Sequence, residues 1–364
     1  MEFTFEMPVK VIVGKDCIKK NAEIFSQFGK KALIVTDAVS AKLNGSLADV
    51  TEALDGQGIE HVLFDKVESN PTVEAVREGA CLAKARGAQF ILAIGGGSPM
   101  DAGKAISLLA KQDISNEELF SGSYGLETLP LLCVPTTSGT GSEVTSFAIL
   151  TNHLAKEKSN LNSPCLYARV AFLDATYTQT IPKGVVVNTS IDAMGHAVES
   201  MLTVKSNGLT DAIARESLKS ISGCFQKLLD NERDFETCEK MMYGSVLAGI
   251  AVGQTRTSAL HAMGYPMTYF KEIAHGRTVG LLMAPYFYFT QKKNPGLIAD
   301  ILGAMGLKSV DELKNILDRL LGEKDRLTKE EIEEYASAVI KRRNIQNCKV
   351  KPAKEDLIEI YSGI

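Results

Sequence analysis

Four side chains in the second half of the chain have the types and spacing to hold a metal ion: Asp192, His196, His261 and His275. The first two lie four residues apart in Ile191-Asp192-Ala193-Met194-Gly195-His196, so a helix there points both the same way, one turn apart. The others follow in His261-Ala262-Met263-Gly264-Tyr265 and Ala274-His275-Gly276-Arg277, fourteen residues apart. The chain has five histidines, and three of them fall here. One carboxylate and three imidazoles suit a divalent cation of borderline softness, iron(II) or zinc. An Asp-x3-His pair alone is an ordinary feature of solvated helix faces, so the metal reading depends on the rest of the sequence.

A second chemical feature lies in the first half. The apolar run Phe90–Ile94 leads into Gly95-Gly96-Gly97-Ser98-Pro99-Met100-Asp101-Ala102-Gly103-Lys104-Ala105. Three glycines let the backbone turn sharply and approach a ligand. Ser98 is a natural N-cap, Pro99 a natural first helical residue and Asp101 a capping partner. A helix starting here aims free N–H groups and its positive end at the loop, which makes a phosphate site. The Rossmann pattern fails at Met100, and the Walker pattern fails at Ser98 and Ala105. The competing reading is a glycine-rich turn with no ligand. Another strand pattern, Leu129–Val134, runs into Pro135-Thr136-Thr137-Ser138-Gly139-Thr140-Gly141-Ser142-Glu143, whose small hydroxyl residues and glycines can meet phosphate or ribose. Asp37, just past the apolar run Ala32–Val35, can bind both ribose hydroxyls of adenosine and repel a 2′-phosphate, favouring NAD(H) over NADP(H). It can equally N-cap the following helix.

The elements that must position these residues fall into two kinds. Short apolar runs at Ala32–Val35, His61–Phe64, Phe90–Ile94, Leu129–Val134 and Val170–Asp174 alternate with helical patterns at 15–29, up to about Leu54, and Pro71–Arg86. That alternation means a parallel sheet with helices on its faces. Phe3–Phe5 and Val9–Val13 read as a strand pair at the sheet edge. After Pro182 the strand patterns stop and amphipathic helices follow, for example Asp311–Leu321 and Thr328–Arg342. The expected division is an α/β dinucleotide-binding domain over 1–182 and an all-helical metal-binding domain over 183–364, with the site in the cleft between them. The 364 residues suit two domains, and 45% hydrophobic with 23% charged residues is ordinary soluble composition. A net charge of −4 without a long basic run gives no footprint for nucleic acid. No apolar stretch reaches membrane-spanning length, and the acidic start is not a secretory signal. Seven scattered cysteines without a C-x-x-C pair suit buried thiols in a reducing compartment, the cytoplasm.

Taken together, Gly95–Asp101, Thr136–Glu143, Asp192-x3-His196 and His261-x13-His275-Gly276 resemble the iron-containing (group III) alcohol dehydrogenases, in the superfamily that includes glycerol dehydrogenase and dehydroquinate synthase. The resemblance covers nearly the whole chain and implies a dehydroquinate synthase-like fold. It implies that Asp192, His196, His261 and His275 bind the metal, that Gly96, Gly97 and Ser98 hold the pyrophosphate, and that Asp101 is the acid beside the cofactor. Thr136, Thr137 and Thr140 match the second cofactor loop, Lys158 a ribose-contacting lysine, Asn70 a cofactor-side asparagine and Asp37 the selector of NAD(H). It implies a homodimer or larger assembly, often paired through an N-terminal strand like residues 3–13. Tyr265 stands where many relatives carry a further histidine, so any proton relay there falls to a phenol. Val252, Gly253, Gln254 and Arg256 replace a phenylalanine- and asparagine-containing run, and Phe147 sits where some relatives have asparagine. Arg256 either meets an anionic substrate group or is an ordinary ion-paired arginine. The activity implied is metal-assisted hydride transfer between NAD(H) and a small alcohol or carbonyl compound. The alternatives are a cyclase or lyase resembling dehydroquinate synthase, which uses NAD transiently, and a non-catalytic nucleotide binder.

Overall fold

The computed structural model describes residues 2–153, 157–323 and 325–364. The chain forms two compact units, one of Met7–Thr137 with Gly141–Thr180, the other of Ile181–Ile364 with Met1–Glu6 and Ser138–Thr140.

In the first unit the strands are β1 (Lys10–Val13), β2 (Lys31–Val35), β3 (Glu60–Phe64), β4 (Phe90–Gly95), β5 (Leu131–Pro135), β6 (Phe147–Asn152), β7 (Glu157–Asn162) and β8 (Val170–Leu173). Six form a parallel sheet in the order β1-β8-β5-β4-β2-β3. The central strands β4 and β5 are buried at every residue, as continuous apolar runs flanked by helices require. A core of Phe25, Ile34, Leu54, Phe90, Leu92, Leu132, Val134, Phe172 and their neighbours fills one face. Because the sheet is parallel, the carboxyl ends of β2, β4 and β5 lie side by side, with Gly95 paired to Pro135. Asp37, the glycine loop and the threonine loop therefore leave neighbouring strands at the same edge, where open α/β sheets bind ligands.

Several local expectations are corrected. Phe3–Phe5 forms no strand; only Lys10–Val13 pairs, parallel to β8. The helix expected over 15–29 is a turn of α-helix at Cys17–Lys20 and a 3-10 stretch at Ala22–Gln27, broken where the Asn21 side chain donates back to the Cys17 carbonyl. The pattern up to Leu54 is two helices, Ser40–Leu43 and Ser46–Gly56, separated by Gly45 at φ 85°. The antiparallel pair β6–β7 has no counterpart in the expectations, since β7 is mostly polar.

The second unit is helical. Four of its helices carry the site residues: α2 (Lys183–Leu202), α3 (Phe235–Thr255), α4 (Ala259–Lys271) and α5 (His275–Lys293), where α1 denotes the earlier helix Gly97–Leu109 of the first unit. They pack around a core of its own that includes Met194, Val198, Leu260, Met263, Leu282 and Phe287. Among the described residues no helix is long and apolar enough to cross a membrane.

Candidate metal centre and cofactor loops

Asp192 and His196 lie one turn apart on α2, both buried. His261 is the third residue of α4, and His275 opens α5. Two glycines let these helices meet. A Cβ on Gly195 would lie 2.5 Å from Val279 Cγ1 and 3.3 Å from His261 Cε1. One on Gly276 would lie 1.8 Å from the Asn188 carbonyl oxygen. The start of α5 therefore touches the backbone of α2, and only glycine fits beside His275.

One ligand atom from each of Asp192, His261 and His275 falls within a set whose members all lie within 4.8 Å of one another. His261 Nε2 is 3.4 Å, and His275 Nε2 3.8 Å, from Asp192 Oδ1. His196 stands outside that set. Its ring stacks on His261, with centroids 4.5 Å apart and planes 14° from parallel. Burial works to raise the Asp192 carboxyl, but the fields of His196, His261 and His275 hold it well below the usual carboxylate range. Burial works to lower His261, but the Glu199 and Asp192 carboxylates hold it up at about 10. For His196 burial prevails and pushes it down. Asp192 Oδ1, His196 Nδ1 and His261 Nε2 are buried without a hydrogen-bond partner among the described residues. Such atoms are costly unless something binds them. With this donor chemistry, that something fits a divalent cation.

Sequence reasoning missed Glu199. It is fully buried on α2, seven residues after Asp192 and so on the same helical face. That spacing, Asp192-x3-His196-x2-Glu199, was the signal available. Tyr265 stacks on His275, with centroids 5.5 Å apart and planes 7° from parallel, and the Arg342 guanidinium lies 5.4 Å from the tyrosine centroid. Burial pushes the phenol up to about 12. Of the individual run in α3, Gln254 bonds Glu6, donating to its carbonyl at 2.7 Å and accepting from its N–H at 3.1 Å. Arg256 ends α3 at φ 68° and ψ 171°, a region that strains any residue but glycine.

In the first unit, helix α1 begins at Gly97 with Gly96 as its N-cap, two residues earlier than expected, because Gly96 takes the extended entry. Ser98 is thereby released from capping, and its Oγ accepts from the Asn70 N–H at 3.2 Å. Asn70, at φ 60°, also accepts from Lys158 Nζ at 2.6 Å through Oδ1. Asn70, Ser98 and Lys158 are thus one connected group. A Cβ on Gly96 would come within 3.2 Å of Thr137 Oγ1, so the two loops touch. The Thr136 N–H donates to the Gly95 carbonyl at 2.9 Å. Gly97 opens the helix, while Thr140 belongs to the other unit.

Asp101 caps nothing. Its Oδ1 accepts from Ser142 Oγ at 2.6 Å and its Oδ2 from the Ile149 N–H at 2.9 Å. One turn on, the fully buried Lys104 donates to Ser142 Oγ at 2.8 Å, Thr145 Oγ1 at 3.3 Å and the Phe147 carbonyl at 2.7 Å. These two charges, 3.8 Å apart, bolt α1 to the strand after the threonine loop. Asp37 accepts from the N–H groups of Val39 and Ser40 and from the Ser40 hydroxyl, closing the turn after β2; it is not the N-cap of the helix Ser40–Leu43, which is Val39. A carboxylate has about four lone-pair sites, so ribose remains within its capacity.

The helical unit thus gathers histidines about a carboxylate, and the other unit carries glycine- and threonine-rich loops at the strand ends of a parallel sheet. Residues 8–175 match the family model for iron-containing alcohol dehydrogenase, and residues 186–364 match that for the C-terminal part of the Fe-containing alcohol dehydrogenase family. The chain belongs to the iron-containing alcohol dehydrogenase family, and is an oxidoreductase of that class. It is 35% identical to the choline dehydrogenase of Bacillus subtilis (strain 168) over 309 residues, 84% of this chain and 77% of that one. The crystal structure of an iron-containing alcohol dehydrogenase from Thermotoga maritima superposes with a TM-score of 0.91 at 33% identity, covering 99% of this chain and 98% of that one. A sulfoacetaldehyde reductase from Bifidobacterium kashiwanohense, solved in complex with NAD+, gives a TM-score of 0.91 at 26% identity, covering 100% of this chain and 98% of that one.

Proposed function

We propose that the protein is an NAD(H)-dependent dehydrogenase or reductase of a small alcohol or carbonyl compound, with iron(II) or zinc held by Asp192, His196, His261 and His275. The observation that carries this is that Asp192 Oδ1, His196 Nδ1 and His261 Nε2 are buried without a hydrogen-bond partner among the described residues, with His275 Nε2 3.8 Å from the same Asp192 oxygen. A cation held there would supply Lewis acidity, lowering the pKa of an alcohol or polarising a carbonyl. The dinucleotide would supply the hydride acceptor or donor. Gly96, Gly97 and Ser98, with the N-terminus of α1, would take its pyrophosphate, and Asn70, Lys158, Thr136, Thr137 and Thr140 its neighbouring groups. Asp101 acts indirectly, holding the loop that carries Ser142. Asp37 would accept the ribose hydroxyls and disfavour NADP(H). Tyr265 keeps its proton at neutral pH, so it orients His275 and offers a hydrogen bond rather than acting as a base.

The domain assignment, 1–182 for the dinucleotide and 183–364 for the metal, belongs to this proposal, as do a cytoplasmic location and a homodimer or larger assembly. Nothing in the relatives supports the cyclase alternative. The test is an NAD(H)-coupled screen of alcohols, diols and aldehydes on protein stripped of metal and reloaded anaerobically with iron(II), and separately with zinc. Turnover of nicotinamide that appears only on reloading is expected. Equal turnover in stripped protein refutes the metal role.

A further inference from the structure

The Glu199 carboxylate has two separable sets of partners. Its Oε1 accepts from the Ser258 N–H at 3.0 Å, the Ser258 hydroxyl at 2.7 Å and the His261 N–H at 3.1 Å. Ser258 is the N-cap of α4, but its own side chain caps nothing. A carboxylate from α2 thus terminates α4 in its place, where free N–H groups and the helix dipole favour a negative charge. The other oxygen, Oε2, takes none of these donors and hydrogen-bonds His261 Nδ1. His261 Nε2, on the opposite side of the ring, is left facing Asp192 Oδ1 at 3.4 Å.

We infer that Glu199 is a positioning residue: through Oε2 it fixes His261 as the Nδ1–H tautomer and aims the Nε2 lone pair at the metal position. The inference rests on the metal reading given above. A capping role accounts for Oε1 and leaves Oε2 unexplained. A fully buried carboxylate costs several kcal/mol in desolvation, and a glutamine would cap α4 without that cost. What glutamine cannot do here is accept a hydrogen bond from Nδ1–H. Its carbonyl oxygen is committed to the three donors of Ser258 and His261, so its NH2 group faces the ring. The imidazole must then carry its proton on Nε2, and an Nε2–H is not a ligand.

The test is Glu199→Gln, with Zn2+ alone as probe. Zn2+ affinity measured by competition with a chromophoric chelator is expected to fall 10–100-fold. The unfolding midpoint of the metal-stripped variant is expected to stay within a few degrees of wild type. A folded variant that binds Zn2+ as wild type does overturns the inference and leaves the metal reading standing. Wild-type protein that takes up no Zn2+ overturns both. If the variant does not fold, long-range 15N–1H spectra of histidine-labelled, Zn2+-loaded wild type decide. Protonated Nδ1 and metal-bound Nε2 at His261 are expected, and the reverse assignment overturns the inference.

Discussion

Glu143 offers the sharpest test of how buried charge is managed beside the threonine loop. It is 3% exposed, and burial pushes its carboxyl from 4.5 up to about 7, against smaller opposing pulls from a hydrogen bond with its own backbone and from Lys104. An acid whose folded pKa lies above its unfolded value binds its proton more tightly when folded. Between pH 4.5 and about 7 the folded state holds the proton and the unfolded state has lost it, so stability falls with rising pH across that window. The shift of about 2.5 units corresponds to about 3 kcal/mol, fully felt above pH 7. Glu143→Gln keeps the shape and removes the ionisation. Its stability should therefore lack this downward slope, and should gain on wild type by about 3 kcal/mol between about pH 4.5 and about pH 8. In a unit of this size that is roughly 6–12 °C in unfolding midpoint. The assay is thermal and urea unfolding of both proteins at matched ionic strength across this range. Parallel curves for the two proteins would refute the reasoning, because they would show that Glu143 titrates alike in the folded and unfolded chains.

Three further outcomes follow from the same geometry. Gly276→Ala places a Cβ 1.8 Å from the Asn188 carbonyl oxygen, so α5 must move off α2; a loss of about 1–3 kcal/mol is expected, with weaker Zn2+ binding through displaced His275, read by unfolding and chelator competition. Lys104→Met strips the counter-charge from Asp101 and removes three buried hydrogen bonds. It should cost about 3–5 kcal/mol and raise the NADH dissociation constant, measured by nicotinamide fluorescence. Tyr265→Phe keeps the ring against His275 and removes a phenol whose pKa is already about 12, so the pH–rate profile near neutrality should keep its shape; a lost or displaced limb would return Tyr265 to the proton path.

What could be read from the sequence was whatever depends on type and spacing along one element. Buried parallel strands announce themselves as unbroken apolar runs, which is why β2, β4, β5 and β8 were legible within a residue or two. Strand β7 was not, because its residues are mostly polar and its pairing with β6 depends on a neighbour rather than a pattern. The Asp192 and His196 pair could be placed on one helical face, and Gly276 could be seen beside His275 without its reason, which is the Asn188 carbonyl. Asp101 shows the opposite case. Its position in the glycine loop suggested capping, yet its partners are Ser142 and Ile149, more than forty residues on. Local spacing carries no information about such contacts. Glu199 was visible as a third polar residue on the Asp192 face, but its partners lie on another helix.

The two buried carboxylates of the helical unit make sense as a charge balance. Asp192 and Glu199 together carry two negative charges in a region closed to water, flanking the two nitrogens of the same imidazole. A proton on His261 offsets one of them, and the carboxylates hold that proton with a pKa of about 10. A divalent cation among the proposed ligand atoms would offset both and leave His261 neutral, with Nδ1–H toward Glu199. The ion therefore competes with a proton that is itself well held, but it removes the residual negative charge that the proton leaves behind. In a low-dielectric surrounding that residual charge is expensive. Monovalent ions would merely replace the proton. On the proposed ligand set, a cluster with two acids, only one of them able to reach the ion, would favour a double charge while offering one anionic ligand and three neutral imidazoles, the donor set that iron(II) and zinc accept.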